Sequence, residues 1–383
     1  MLWTNIYQMS VLTDLNKFSS IDETLMRRAL SLAYQGRYST SPNPKVGCVI
    51  AHGGEIVGEG WHKQAGGHHA EIFALEKAKD KAYGATVYVT LEPCAHYGKT
   101  PPCAEALIRA GVKKVIAAIK DPNPCVSGKG FTMLNTAGIE TAYGLLEDEA
   151  RKINRGFLSR FERNRPFVCL KIAQSLDGKI ALNNGVSQWI TGEDARLDVQ
   201  EGRAQSCAIL TGIGTVLADN PRLNVRSIDT LRQPLRVVVD SHLQTPATAQ
   251  ICTDGKPTLL VTLPETIIST QYPSQVEIIR IPADSNGQID LHLLMNELAQ
   301  RGIGEVWCEC GATLSASLIQ SNIVDELIIY QAPIILGDKA KSSFTLPELT
   351  SLSNIDRWQI DDYRQIGNDI RLRLSPMFKE EKS

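Results

Sequence analysis

The chain has 383 residues, 43% of them hydrophobic and 21% charged, a globular composition long enough for two cores of ordinary size. Forty basic against 42 acidic residues leave a net charge of −2, which excludes the strongly basic surface that drives sequence-independent nucleic-acid binding. No run is apolar for long enough to cross a bilayer, and nine scattered cysteines point to free thiols and a metal site rather than a disulfide framework.

Residues 1–20 lack the basic-then-apolar layout of a signal peptide and read as a loose extension, and the protein reads as cytoplasmic. Ile21–Gln35 predicts an amphipathic helix, with Asp22 as its N-cap and Gly36 as its stop. Val46–Ala51 and Glu55–Trp61 flank His52-Gly53-Gly54 as a hairpin. A helix over His69–Lys79, a strand at Thr86–Thr90, a helix after Pro102 and a strand at Lys114–Ile119 then alternate, which predicts a layered α/β domain.

The charged stretch Glu147–Asn164 ends at Arg165-Pro166, where apolar strand signals restart over Phe167–Ala173. The boundary is placed there, giving domains at 20–165 and 166–383. Strands follow at Cys207–Thr211, Leu235–Asp240, Thr258–Thr262, Val276–Ile281, Glu305–Cys308 and Glu326–Gln331, with helices near Glu193–Gln205 and Leu291–Arg301. This half is α/β as well.

The chemistry concentrates in GGHHAEIFALEKA and LEPCAHYGKTPPC, which supply His69, Glu71, Cys94 and Cys103. One imidazole and two thiolates form a soft donor set for tetrahedral Zn²⁺ with one position open, the count of a catalytic rather than a structural site. Residues two apart do not share a helix face, so His69 and Glu71 converge only if the reaction centre sits beyond the helix N-terminus. Glu71 is then the general acid and base of a hydrolytic deamination, as in H-x-E…P-C-x-x-C deaminases, although the cysteines here stand much further apart. Taken singly, His-x-Glu is weak and free cysteines are ordinary core residues. The rival ligands by type are His62, His68 and His96.

SPNPKVGCVI, GWHKQAGGHHAE, LEPCAHYGKTPPC and DPNPCVSGKG together resemble the bifunctional deaminase/reductase family of riboflavin biosynthesis, whose deaminase domain is cytidine-deaminase-like. The likeness runs over almost the whole chain after about residue 20, and in that family the wide cysteine interval is usual. It implies that Asn43 contacts the pyrimidine ring and that Lys99 and Thr100 approach the substrate phosphate. Proline-flanked Asn43 is otherwise a turn. Lys129, between Gly128 and Gly130, is left open between a phosphate contact and a solvated turn lysine.

FVCLKIAQSLDGKI, SQWITGEDAR, RAQSCAILTGIGTVLADNPRLNVR and VWCECGATL resemble the reductase domain of the same family, dihydrofolate-reductase-like in fold and NADPH-dependent. Spacing alone does not show this, because Gly212-Ile213-Gly214 is a poor dinucleotide fingerprint. Arg203 and Arg226 are suitable phosphate forks by chemistry, though an arbitrary arginine lies on the surface. The resemblance makes Ser187, Arg203, Leu223, Arg226 and Glu309 substrate contacts. It makes Ala173, Trp189, Thr215, Asp219, Ser241 and the loop Gly311, Ala312, Thr313, Leu314, Ser315, Ala316 and Ser317 cofactor contacts. Lys171 and Glu309 match residues that assist opening of the sugar and bind the ribityl chain; by type alone they would be an edge pair. Cys310 stands where the family usually has glycine, and Cys308 and Cys310 read as packed thiols.

The expectation is an enzyme that uses one Zn²⁺ and NADPH on small phosphoribosylaminopyrimidines, with no nucleic-acid or membrane partner and homo-oligomer formation left open. Two rivals remain at this point: a deaminase of nucleic-acid bases, which needs a cationic track and stacking aromatics, and a structural zinc module joined to a small-molecule binding domain.

Overall fold

The computed structural model describes residues 18–97, 101–124, 126–352 and 355–377. Lys99, Thr100 and most of the expected N-terminal extension therefore lie outside the described residues. The chain divides into two compact units that meet at Glu162/Arg163.

In the first unit, helix α1 (Ser20–Gln35) begins one residue earlier than expected because Ser19, not Asp22, is its cap. Asp22 occupies the third helical position and returns a bond to the Ser19 backbone, closing a capping box. The hairpin forms as expected from β1 (Gly47–His52) and β2 (Glu55–Trp61). Next come α2 (Ala70–Ala78), β3 (Thr86–Leu91), α3 (Cys103–Arg109), β4 (Lys114–Ile119), α4 (Lys129–Thr136) and β5 (Glu140–Tyr143).

The strands form one sheet in the order β2-β1-β3-β4-β5. β1 is antiparallel to β2 and β3, whereas β3, β4 and β5 are parallel. Alternation along the strands separates two apolar layers. Cys48, Ile50, Val87, Val89, Val115 and Ala117 pack with Ala70, Ala74 and Leu107 of α2 and α3. Val49, Ala51, Tyr88, Ile116 and Ala118 pack with Leu25, Met26 and Ala29 of α1. Since β2, β3 and β4 run the same way, the starts of α2, α3 and α4 gather at one edge of the sheet. The charged stretch folds into α5 (Glu147–Ile153) and α6 (Arg155–Arg163).

The second unit holds a nine-stranded sheet. β6 (Phe167–Ser175) is central, between β12 (Glu305–Cys308) and β13 (Glu326–Ala332). β8 (Ala208–Gly212), β9 (Leu235–Val239), β10 (Thr258–Thr262) and β11 (Val276–Arg280) extend one side, every pair parallel. The other side ends in an antiparallel hairpin of β15 (Trp358–Ile366) and β16 (Asp369–Pro376). A short pair, β7 (Lys179–Ala181) with β14 (Lys341–Ser342), stands apart. Helix α7 (Glu193–Gln205) crosses close beneath Trp307, where a Cβ on Gly202 would lie 2.4 Å from the indole. Helices α8 (Ile213–Asp219), α9 (Leu291–Gln300) and α10 (Ala312–Gln320) complete this unit's longer helices among the described residues. No helix among the described residues is long and apolar enough to cross a membrane.

Candidate functional site

His69 is the N-cap of α2, outside the helix, and Glu71 sits in its first turn. That placement meets the geometric demand, because both residues then face the space before the helix. Cys94 follows the end of β3 and Cys103 opens α3. The ligand atoms of His69, Cys94 and Cys103 all lie within 4.8 Å of one another. His69 Nδ1 is 3.2 Å from Cys103 Sγ and 3.6 Å from Cys94 Sγ, and the Cys103 backbone N–H donates to Cys94 Sγ at 3.3 Å.

The electrostatics suit a soft cation. A bond from the Cys103 thiol, with His69 beside it, holds the Cys94 thiol down at about 4, despite burial. Glu71 is 3% exposed, and burial pushes its carboxyl above the usual range. Its Oε2 has no hydrogen-bond partner. A buried carboxylate oxygen left open beside three soft donors fits a divalent ion with a water to activate, so the residues present suit zinc.

The rival histidines separate. His62 stands edge-on to His69, with ring centroids 5.5 Å apart, and is bonded elsewhere: Nδ1 to the His68 carbonyl at 2.9 Å and Nε2 to Asn43 Nδ2 at 3.2 Å. His68 packs against Phe73. Asn43 and His96 both line the cavity of about 250 Å³ that contains His69, Glu71 and Cys94. Its further walls are Glu92, Asp121 and Asn123 from the ends of β3 and β4, and Phe157, Arg160 and Phe161 from α6. Burial raises the Asp121 carboxyl to about 6, although the Asn123 N–H donates to it.

Glu92 stitches this wall together. Its carboxylate accepts the backbone N–H groups of Asp121, Gly128, Gly130 and Phe131 at 3.0–3.4 Å. The glycines around Lys129 have structural reasons: Gly128 has φ +77°, and a Cβ on Gly130 would lie 2.0 Å from the Pro93 carbonyl. Glu92→Ala is expected to cost about 3 kcal/mol, since four N–H groups lose their acceptor. Calorimetry should show the loss as a lower Tm for the transition of the first unit.

In the second unit, Lys171 and Glu309 do not form an edge pair, because β6 and β12 are interior strands. Arg203, 8% exposed, places Nε 2.5 Å and Nη2 3.0 Å from the two oxygens of Glu309. Trp307 Nε1 donates to the same carboxylate at 3.0 Å, and Lys171 Nζ stands 3.8 Å away. Burial alone would raise Glu309, but Arg203 and Lys171 hold it down at about 2. Burial pushes Lys171 down in spite of Glu309.

Arg203 is thus engaged, with Nη1 also on the Asn224 carbonyl at 3.1 Å, whereas Arg226 is exposed. Leu223 buries its side chain in the core at φ +47°, which leaves its backbone as the part able to meet a ligand. Thr215 and Asp219 lie in α8, Ser241 follows β9, and Ala173 is on β6. A Cβ on Gly311 would lie 3.9 Å from Thr215 Oγ1 and one on Gly212 3.2 Å from Leu314, so the α8 and α10 starts are neighbours at the carboxyl ends of β8 and β12. Ala312–Ser317 form the first turns of α10. Ser187 and Trp189 lie on the loop before α7; Trp189 is 68% exposed, with the Arg196 guanidinium 4.7 Å from its ring centre. Cys308 is buried, and Cys310 is half-buried with Sγ 3.4 Å from Ser315 Oγ.

Two family descriptions match the chain: the cytidine and deoxycytidylate deaminase zinc-binding region over residues 19–119, and the RibD C-terminal domain over residues 166–372. The riboflavin biosynthesis protein RibD of Haemophilus influenzae is 51% identical, covering 94% of this chain and 99% of its own. RibD of Acinetobacter baumannii superposes with a TM-score of 0.87 at 44% identity, over 94% of this chain and 99% of that one. The diaminohydroxyphosphoribosylaminopyrimidine deaminase/5-amino-6-(5-phosphoribosylamino)uracil reductase of Thermotoga maritima gives 0.84 at 34% identity, over 93% and 99%.

Proposed function

The chain belongs to the RibD family of riboflavin-biosynthesis proteins, and on that premise we propose that it performs both reactions named for its Thermotoga relative. Residues 20–165 deaminate the diaminopyrimidine phosphate, and residues 166–383 reduce the ribosyl group of the product to ribityl with NADPH. The observation that carries the reading is the convergence of His69, Cys94 and Cys103 beside the unpartnered Oε2 of Glu71.

In the first reaction, His69, Cys94 and Cys103 would hold Zn²⁺, and the ion would supply Lewis acidity toward water near neutral pH. Glu71, its Oε2 open beside that donor set, would carry a proton from water to the amine as the ring carbon exchanges nitrogen for oxygen and ammonia leaves. Asn43, oriented by His62 Nε2, contacts the pyrimidine edge. For the second reaction, Thr215, Asp219, Ser241, Ala173, Trp189 and Gly311–Ser317 would hold NADPH, which would supply the hydride that reduces the sugar. Lys171, its proton loosened by burial, serves the ring oxygen as the sugar opens. Arg203, Arg226, Ser187 and the Leu223 backbone contact the substrate with its phosphate, and Glu309 binds the ribityl chain. Among the described residues the eight cysteines form no disulfide, in keeping with a cytoplasmic setting, and the near balance of charge supports small-molecule rather than nucleic-acid substrates.

Zinc-loaded protein given the diaminopyrimidine phosphate should release ammonia without NADPH and oxidise NADPH only once deaminated product is present. Absence of ammonia would refute the first half of this reading. Chelation should abolish ammonia release, Zn²⁺ should restore it, and NADPH oxidation on supplied deaminated substrate should persist throughout. Equal loss of both activities on chelation would contradict a metal confined to the first unit.

A further inference from the structure

We infer that Asp369, at the start of β16, is a positioning residue for the loop that leads into α7, and so for Trp189 as a cofactor contact. The inference rests on the reading of the second unit as an NADPH-dependent reductase and extends it to a hairpin far along the chain from that loop. None of residues 182–194 is buried, so packing of its own side chains does not hold this stretch in place. Yet it carries both Ser187 and Trp189.

Bonds from two neighbours hold the stretch instead. From α7, Arg196 Nη1 donates to the Thr191 carbonyl at 2.7 Å, and the same guanidinium lies over the Trp189 ring. From the hairpin, Asp369 Oδ2 accepts the Gly192 N–H at 2.7 Å, and Asp369 is itself only 2% exposed. Gly192 is the N-cap of α7 and has no side chain with which to cap it. Asp369 therefore brings a carboxylate to a helix end whose unpaired N–H groups and dipole favour negative charge. Gly367, in the hairpin turn, packs so near Asp194 that a Cβ there would meet the Asp194 carboxylate.

A second grip sets the angle of the first. Arg371 Nη1 donates to both oxygens of Asp198, at 3.1 and 2.8 Å, and the Tyr330 hydroxyl donates to Asp198 Oδ2 at 2.6 Å. Asp369 and Arg371 stand two apart on one strand and so point the same way, meeting α7 at its cap and in its second turn. Tyr330 in turn pairs with Ala173 of β6, another expected cofactor contact. One brace thus runs from β6 through β13 and β16 to the loop, and a loop ordered before the ligand arrives spares the binding step that entropy.

The test is NADPH binding by the full chain, titrated by cofactor fluorescence with no pyrimidine present, together with limited chymotryptic cleavage after Trp189. Asp369→Ala should weaken NADPH binding about three- to tenfold, the range set by one hydrogen bond at a solvent-accessible N–H. Cleavage after Trp189 should quicken while cleavage elsewhere in the chain does not. Asp369→Asn, which keeps an acceptor oxygen, should stay within about twofold of the parent. Gly192→Pro removes the donor instead, at a φ of −67° that proline adopts, and should reproduce the loss even if Asp369→Ala fails to fold. In a Trp189→Ala background Asp369→Ala should cost less than about twofold further, because the contact it positions is already gone. Losses that simply multiply in the double variant, or parent-like NADPH binding by Asp369→Ala and Gly192→Pro, overturn the inference and leave the reductase reading intact. A parent chain that binds no NADPH sinks both.

Discussion

Replacing Glu71 with glutamine is expected to lower kcat/KM for ammonia release by about two to four orders of magnitude, the usual worth of a positioned general acid and base. Bound zinc and NADPH oxidation on supplied deaminated substrate should both stay at parent levels. Glutamine keeps the volume of a side chain only 3% exposed and keeps α2, whose cap is His69. It removes the proton-carrying capacity of an atom that has no hydrogen-bond partner to lose, so the fold has little to register. The donor set consists of His69, Cys94 and Cys103, and remains complete. Metal analysis, an ammonia assay and cofactor absorbance on one preparation separate the outcomes. A variant that keeps zinc and still deaminates within tenfold of the parent would assign the proton transfer to another group.

The zinc constellation was legible because its demands are local and chemical. The placement of Cys94 and Cys103 at a strand end and a helix start could be read along the chain, as could the need for His69 to stand outside α2. Arg160, Phe157 and Phe161 were not legible, because nothing in a charged stretch says which face of a helix meets a cavity built from residues far away in sequence. The same limit applies to Glu92, whose four N–H partners come from the loop after β4 and the first turn of α4. The cap of α1 was misread by three residues, since Ser19 and Asp22 both suit a cap and only the backbone shows that they share one box. β15 and β16 went unread: they carry exposed polar and apolar residues with little clean alternation, as an edge hairpin can. In the second unit the resemblance named residues, and packing then sorted them. Leu223 is held in the core, and Arg203 is bound to Glu309.

That last pairing makes Glu309 the residue whose loss should cost the second unit most. Its carboxylate, with a side chain 13% exposed, faces Arg203 and Lys171 together and also accepts from Trp307. Glu309→Ala leaves two poorly solvated cations facing each other, and breaking a buried pair in this way costs about 3–5 kcal/mol. NADPH oxidation should be lost, while ammonia release, whose residues all lie before Glu162, should continue at temperatures where the second unit still holds together. The pH dependence follows from the sign of the shift. Glu309 is held at about 2 against an ordinary value of 4.5, so its contribution is complete above 4.5 and drains away as pH falls toward 2. The parent's second unit should therefore lose stability over that acid range by about 3 kcal/mol more than Glu309→Gln, which has no carboxyl to protonate. Thermal unfolding at stepped pH measures this directly. Parallel acid limbs for parent and Glu309→Gln would mean that the carboxylate is not the charge that holds Arg203 and Lys171 in the interior.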